Sequence, residues 1–306
     1  LIKVASHKEA DGYHYSFEKP DQSYEIIPEY FSTTVWDGAV DISWYDETKD
    51  AFYLDTPAQL AGLAALVCGN VDIDTPDYRI KGDQKNLVST KVDDYLLIGA
   101  GGGDIHDTVY VGDPGHDFSD KTVYLTCDMD MGGVNNWVPI GGKYPLDVEN
   151  CAKVVEAFFN GTLDGQGHTV SGLCVTELSG RTALGLFGTA EHAVFRDITV
   201  SGSIDLTGVD MTGAADALRV GGLVGLGSGV TLERCVSQVE ITVSLTNAAD
   251  NQSAALGGLA GRLTGDAHRL TDCRNEGAIT VTMAPGSRYP GGSGQGGLGG
   301  VITQAI

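Results

Sequence analysis

The sequence predicts an all-β chain: a parallel β-helix, or β-solenoid, with a short N-terminal capping helix and an acidic insertion. Two observations carry this, an internal repeat and a composition that favours tight backbone corners. Of 306 residues, 43 are glycine, about twice the usual share. The string Gly185-Leu186-Phe187-Gly188 returns as Gly222-Leu223-Val224-Gly225, Gly258-Leu259-Ala260-Gly261 and Gly297-Leu298-Gly299-Gly300, with its leucines 37, 36 and 39 residues apart. Downstream of the first three leucines a second match appears, Phe195-Arg196-Asp197-Ile198, Leu232-Glu233-Arg234-Cys235 and Leu270-Thr271-Asp272-Cys273. Ile204, Ile241 and Ile279 then coincide, followed two residues later by Leu206, Val243 and Val281. Periods of this size mark solenoids, in which each repeat is one coil whose inward side chains stack on those of its neighbours.

Alternation along the last of these registers sets the side-chain directions. The Ile and Leu/Val positions point inward, leaving Asp205, Thr242 and Thr280 outward. Glycines beside each Leu allow corners where a Cβ would clash or φ must be positive. Asp197, Arg234 and Asp272 stack on one another, and one position earlier Arg196 meets Glu233, so opposite charges on neighbouring coils favour this register.

Between the third strand of each coil and the next corner lie insertions at about 207–219, 245–255 and 283–295. All three are expected at one corner of the solenoid. They offer Asp210, Asn247, Asn251, Arg288 and Tyr289 as ligand-contacting groups, along with Asp216 and Asp250. Insertions on one face are where solenoids often bind; the plain alternative is tolerated surface loops.

The acid is unevenly spread. Residues 1–150 carry 27 Asp+Glu and 10 Lys+Arg, and residues 151–306 carry 14 and 9. The domain reading is a segment 1–35 without a clear structural signal, a cap and entry region 36–158 containing the insertion 70–117, and the β-helix 159–306. Thr56 caps a helix whose first residue is Pro57, with Leu60, Leu63 and Val67 on one face and Gly69-Asn70 at its end. This helix is expected to plug the open end of the solenoid. Val123, Leu125 and Cys127 alternate with Tyr124, Thr126 and Asp128 as an opening strand. Trp36, Trp44, Tyr45, Phe52 and Tyr53 are expected to pack under the cap, the alternative being a sugar-stacking group.

The insertion holds Asp72, Asp74, Asp77, Asp83, Asp93, Asp94, Asp104, Asp107, Asp113 and Asp117, plus His106 and His116. Clustered carboxylates are the chemistry of Ca²⁺ ligation, but the spacing fits no standard calcium loop, and a solvated acidic surface is the plainer reading. No other cofactor is expected. Asp128 and Asp130 are read as solvent-facing rather than metal-binding.

The corner Gly-Gly-Leu-Val-Gly at 221–225 with Leu-Glu-Arg-Cys at 232–235, and its copy at 257–261 with Leu-Thr-Asp-Cys at 270–273, resemble the GLUG repeat of bacterial cell-surface proteins. Residues 159–170 (FNGTLDGQGHTV) are similar to the coil that precedes such repeats, and residues 56–64, 123–130 and 137–141 to their entry segment. The resemblance covers roughly 36–69 and 118–306. It implies a right-handed parallel β-helix on secreted or wall-attached proteins, adhesin-like, with a glycan or a host or microbial surface protein as partner. It carries no catalytic residues.

A formal net charge of -22 repels phosphate backbones and anionic membranes, which argues against nucleic-acid binding. No apolar run approaches the length of a membrane helix. The absence of an initiator Met and of a leader-like segment fits an excised fragment, and Ile306 falls in mid-coil, so the chain is expected to continue. Six cysteines form no C-x-x-C pair, which removes zinc ribbons and thioredoxin chemistry. Cys235 and Cys273 take the place of Ile198 and read as buried free thiols. An enzyme is the second function class: a glycosidase needs two carboxyl groups on one face, and Asp205 and Glu240 are the one acidic pair on adjacent coils of that strand. With no third acid and no aromatic platform there, catalysis is not expected. The Arg196, Asp197, Arg234 and Asp272 set, which mimics a lyase site, reads as a structural charge ladder.

Overall fold

The computed structural model describes residues 4–9, 12–17, 34–68, 70–83, 89–92, 95–98, 104–113, 115–148, 151–178, 181–207, 218–245, 254–265, 267–283, 294–297 and 299–302. The repeat builds a β-solenoid of about three turns, with four parallel sheets. The first contains Ala51–Leu54, Thr122–Leu125, Thr162–Asp164, Val194–Arg196, Thr231–Glu233 and Arg269–Thr271. Around the next corner runs the second, built from Met129–Asp130, Thr169–Val175, Thr199–Leu206, Val236–Leu245 and the pair Arg274–Asn275 and Ile279–Met283. Short strands beginning at Ala183, Leu218, Ala254 and Gly294 make the third sheet, and those beginning at Phe187, Val224, Ala260 and Gly299 the fourth.

All three registers of the repeat appear in the strand pairing. Phe195 pairs with Leu232, and Leu232 with Leu270. Ile204 pairs with Ile241 and Ile241 with Ile279, while Leu206, Val243 and Val281 follow in the same file. Ile204, Ile241 and Leu206 have no exposed surface, and Asp205 and Thr280 on the other side are exposed. The inward ladder extends further back than the repeat, through Leu163 and Val123 to Phe52. Burying an aliphatic side chain of this size contributes about 1.5 to 3 kcal/mol, so the stacked files are the main source of cohesion.

Each Gly-Leu corner joins a third-sheet strand to a fourth-sheet strand. Corners hydrogen-bond coil to coil: Gly222 N–H donates to Gly258 O at 2.9 Å, Leu223 N–H to Leu259 O at 3.0 Å and Gly258 N–H to Gly297 O at 3.1 Å. None of the glycines at 185, 222 and 258 has positive φ; space, not dihedral freedom, requires them. A Cβ on Gly222 would lie 2.2 Å from Ser237 Oγ and 2.6 Å from Gly258 O. The second-sheet side chain of Ser237, fully buried, thus reaches across the coil and packs on the corner. Flanking strands stay in register on both sides of the insertions, Leu206 with Val243 and Leu218 with Ala254, so the first two insertions leave from and return to one corner.

At the N-terminal end the helix Pro57–Cys68 closes the core as its sequence predicts. Thr56 Oγ1 accepts from Gln59 N–H at 3.3 Å, and Gln59 Oε1 accepts from Asp55 N–H at 2.7 Å. Burial extends well beyond the predicted face, to Ala61, Gly62, Ala64 and Leu66, because the preceding chain wraps the helix. Asp41 N–H donates to Ala58 O at 2.9 Å, and a Cβ on Gly62 would meet Asp41 O at 2.0 Å. Beneath it an aromatic column runs into the coils, Phe52 to Phe118 at 5.8 Å, Phe118 to Phe159 at 6.0 Å, Phe159 to Phe187 at 5.0 Å and Phe187 to Phe195 at 4.7 Å. Trp44, Tyr45 and Phe52 belong to this group as expected.

Three departures from a plain parallel helix were not legible in the sequence, the first being the antiparallel pair Val4–Glu9 and Gly12–Phe17. Asn70–Asp83, Asp104–Asp113, Tyr95–Ile98 and Ser89–Val92 form a four-stranded antiparallel sheet in that order, so the acidic insertion has its own sheet. Gly142–Val148 and Cys151–Ala157 pair as an antiparallel hairpin. That hairpin leaves the entry coil between Ile140 and Phe159, which both bridge in parallel to the strand Phe187–Glu191. The coil therefore resumes its path after the excursion.

Candidate functional site

The outer face of the first sheet gathers chemistry in a single file. Strand pairing aligns Tyr53, Tyr124, Asp164, Arg196, Glu233 and Thr271 across six strands, a strip about 24 Å long at the usual strand spacing. Tyr53 and Tyr124 stack with ring centroids 5.1 Å apart and planes 14° off parallel. Tyr53 is 61% exposed, so the expectation that it packs under the cap is corrected: Phe52 points inward and its neighbour must point out. Arg196 Nε donates to Asp164 Oδ2 at 2.9 Å. The guanidinium therefore reaches back one coil, and its expected partner Glu233 lies in the file ahead of it.

Along the adjoining corner runs the second charge file. Arg234 grips Asp197 with two hydrogen bonds, Nε to Oδ1 at 2.6 Å and Nη2 to Oδ2 at 2.7 Å. Asp197, Arg234 and Asp272 all take left-handed backbone at φ 52°, 51° and 53°, which turns the chain between the sheets and aims the three side chains along one edge. The hydrogen bonds from Arg234 hold the Asp197 carboxyl below the usual carboxylate range. A depressed folded-state pKa means the pair contributes stability above about pH 4 and loses it as pH falls through the folded value. Replacing Arg234 by Gln should therefore flatten the loss of urea resistance between about pH 5 and pH 2. Parallel wild-type and variant curves would show that the ladder does not act on the folded state.

Asp128 directly precedes the second-sheet strand Met129–Asp130. Its Oδ1 lies 3.2 Å from His168 Nδ1 and accepts from Thr169 N–H at 2.9 Å. An imidazole held by a carboxylate resembles an acid-base pair, but the same oxygen ties two coils together, which is a structural role. Asp130 Oδ1 accepts from Gly132 N–H at 2.9 Å. Among the described residues no group of three or more His, Cys, Asp or Glu side chains is placed to hold a metal ion. The side chains of the insertion aspartates from Asp72 to Asp113 lie outside the described residues, so the Ca²⁺ expectation falls there too.

The remaining candidates divide in the same way. Asp210, Asn247, Asn251, Arg288 and Tyr289 all lie outside the described residues. Asp205 and Glu240 are on the second-sheet outer face, but Asp205 pairs with Thr242 and Glu240 with Ser203, a diagonal rather than a facing pair. The Asp205 carboxylate is occupied by the Thr207 N–H and hydroxyl. His116 packs against Tyr45, ring centroids 4.7 Å apart and planes tilted by 43°, as part of the aromatic group under the cap.

What the sequence reading missed is the Tyr53–Tyr124 stack and the Asp164–Arg196 pair. A signal existed: Ala51-Phe52-Tyr53-Leu54 and Thr122-Val123-Tyr124-Leu125 share an apolar-Tyr-Leu pattern that places both tyrosines in one outward file. The chain matches no protein family, no curated protein and no solved structure. Among the described residues no helix is long and apolar enough to cross a membrane.

Proposed function

We propose that this chain is an extracellular bacterial surface module of the GLUG-repeat type, adhesin-like, that binds an extended glycan along the outer face of its first sheet. The observation that carries the reading is the single file Tyr53–Tyr124–Asp164–Arg196–Glu233–Thr271. Sugar rings present apolar C–H faces and hydroxyl edges. A solvent-open aromatic pair meets the first, and ion-paired carboxylates and guanidinium groups meet the second. The strip's acids, Asp164 and Glu233, are paired with Arg196 and Arg234 within a strongly acidic chain, so a neutral glycan fits better than a polyanion. The insertions carrying Asp210, Asn247, Asn251, Arg288 and Tyr289 are proposed as a second contact surface. No cofactor is part of the reading.

Glycan-array screening followed by Tyr53→Ala and Tyr124→Ala tests it. An aromatic contact worth about 1 kcal/mol predicts roughly fivefold weaker binding in each variant, with melting temperature little changed because both rings lie on the outer face. Affinity that survives both changes but disappears when the three insertions are shortened would move the site to the insertion corner. Release of reducing ends from a polysaccharide, lost in Asp205→Asn or Glu240→Gln, would replace binding by catalysis.

A further inference from the structure

Cys235 and Cys273 stand at equivalent places on adjacent coils. They follow the in-register strands Thr231–Glu233 and Arg269–Thr271 and precede the register Val236 with Arg274. Arg274 N–H donates to Cys235 O at 3.0 Å. Each thiol follows a left-handed residue, Arg234 or Asp272, and each hydrogen-bonds the coil before it, Cys235 Sγ with Phe195 O at 3.3 Å and Cys273 Sγ with Leu232 O at 3.4 Å. The Cys235 thiol on the neighbouring coil pulls the Cys273 thiol down to about 7. The same contact and burial push Cys235 up. Cys235 is fully buried, while Cys273 is half-buried and so open to a reagent.

Strand spacing sets the Cα atoms about 4.8 Å apart, inside the range a disulfide tolerates, while its Cβ atoms must close to about 4.5 Å or less. The pair sits at the corner between the ladders of the first and second sheets, where Arg234 N–H donates to Thr271 O at 2.8 Å and holds the two coils together. A shift of a few tenths of an ångström is needed there. No third metal-ligating side chain joins them among the described residues.

We propose that Cys235 and Cys273 form a reversible inter-coil disulfide, made and broken by exchange with a small disulfide such as oxidised glutathione, that clamps two coils at the corner between the first and second sheets. The half-buried Cys273 thiolate attacks glutathione disulfide, forming a mixed disulfide and releasing one glutathione thiolate. Cys235 sulfur then attacks the Cys273 sulfur, the bond to glutathione breaks, and the Cys235 proton leaves with the second glutathione. Two protein thiols are oxidised and one glutathione disulfide is reduced to two thiols. The proposal does not rest on the glycan reading, although Cys235 Sγ and Cys273 Sγ also hydrogen-bond the strip residues Glu233 and Thr271 through their carbonyl oxygens at 3.4 Å and 3.3 Å.

The test is a series of reduced-to-oxidised glutathione ratios applied to the full chain, followed by acid quench, alkylation of free thiols and tryptic digestion. Cleavage at arginine gives peptides 235–262 and 270–274, and oxidation should join them in one species that reductant separates. The oxidised protein should melt several degrees higher than the reduced one, and Cys273→Ala should remove both effects. In Cys235→Ala a glutathione adduct should stay on Cys273. A wild-type adduct on Cys273 that never resolves would overturn the proposal. So would cross-linking to a different cysteine, or full alkylation of both thiols at the most oxidising ratio. These readouts on the wild-type chain do not depend on the variants folding.

Discussion

Replacing Ile241 by Asp should lower the melting temperature by about 10 °C or unfold the chain outright. Ile241 has no exposed surface and lies between Ile204 and Ile279 in the inward file. A carboxylate there has neither water nor a cation, and an unpaired buried charge costs about 3 to 5 kcal/mol, at the top of what single substitutions do. In a chain of this size each kcal/mol moves the midpoint by roughly 2 to 4 °C. Thr280→Asp is the control: Thr280 is exposed on the opposite side of the same sheet, where a charge should change stability by about 0.5 kcal/mol or less. Thermal scans of the two variants decide it, and equal midpoints would mean that the inward and outward assignments are wrong.

The second large effect separates two copies of the same motif position. Gly258→Ala should cost about 3 kcal/mol, whereas Gly297→Ala should be close to neutral. A Cβ on Gly258 would sit 2.0 Å from Asn275 Cγ and 2.3 Å from Gly297 O. The Asn275 side chain also caps its own turn, donating to Gly277 O at 2.8 Å and accepting from Gly277 N–H at 3.2 Å, so moving it breaks further bonds. Carbonyl oxygen of the next coil cannot move without opening the corner ladder. Around Gly297 a Cβ meets nothing within 4 Å. Urea midpoints of both variants measure the difference, and equal costs would show that the corner glycines serve backbone dihedrals and not coil-to-coil contact.

The solenoid was legible because its signal is redundant. Inward positions recur at a fixed offset from each Gly-Leu corner, and any register slip would put Asp205 or Thr242 into the core in place of Ile204 or Ile241. The helix was legible for a local reason, since Thr56, Pro57 and Gln59 satisfy its first turn by themselves. The candidate strip was harder to read. Its first two strands, Ala51–Leu54 and Thr122–Leu125, are paired in the sheet although 67 residues of chain, including the helix and the separate antiparallel sheet, come between them.

From order alone the chain therefore determines its period, the aliphatic files that point inward, the corner glycines and the capping helix, because each follows from alternation or from a contact within a few residues. Only the tertiary structure decided that Tyr53 meets Tyr124, that Arg196 turns back to Asp164 and not onward to Glu233, and that Arg234 grips Asp197. Stacking offers each charged side chain a partner on the coil before and the coil after at the same spacing. The choice between them rests on backbone aim and side-chain reach at the left-handed corner, which composition and periodicity do not carry.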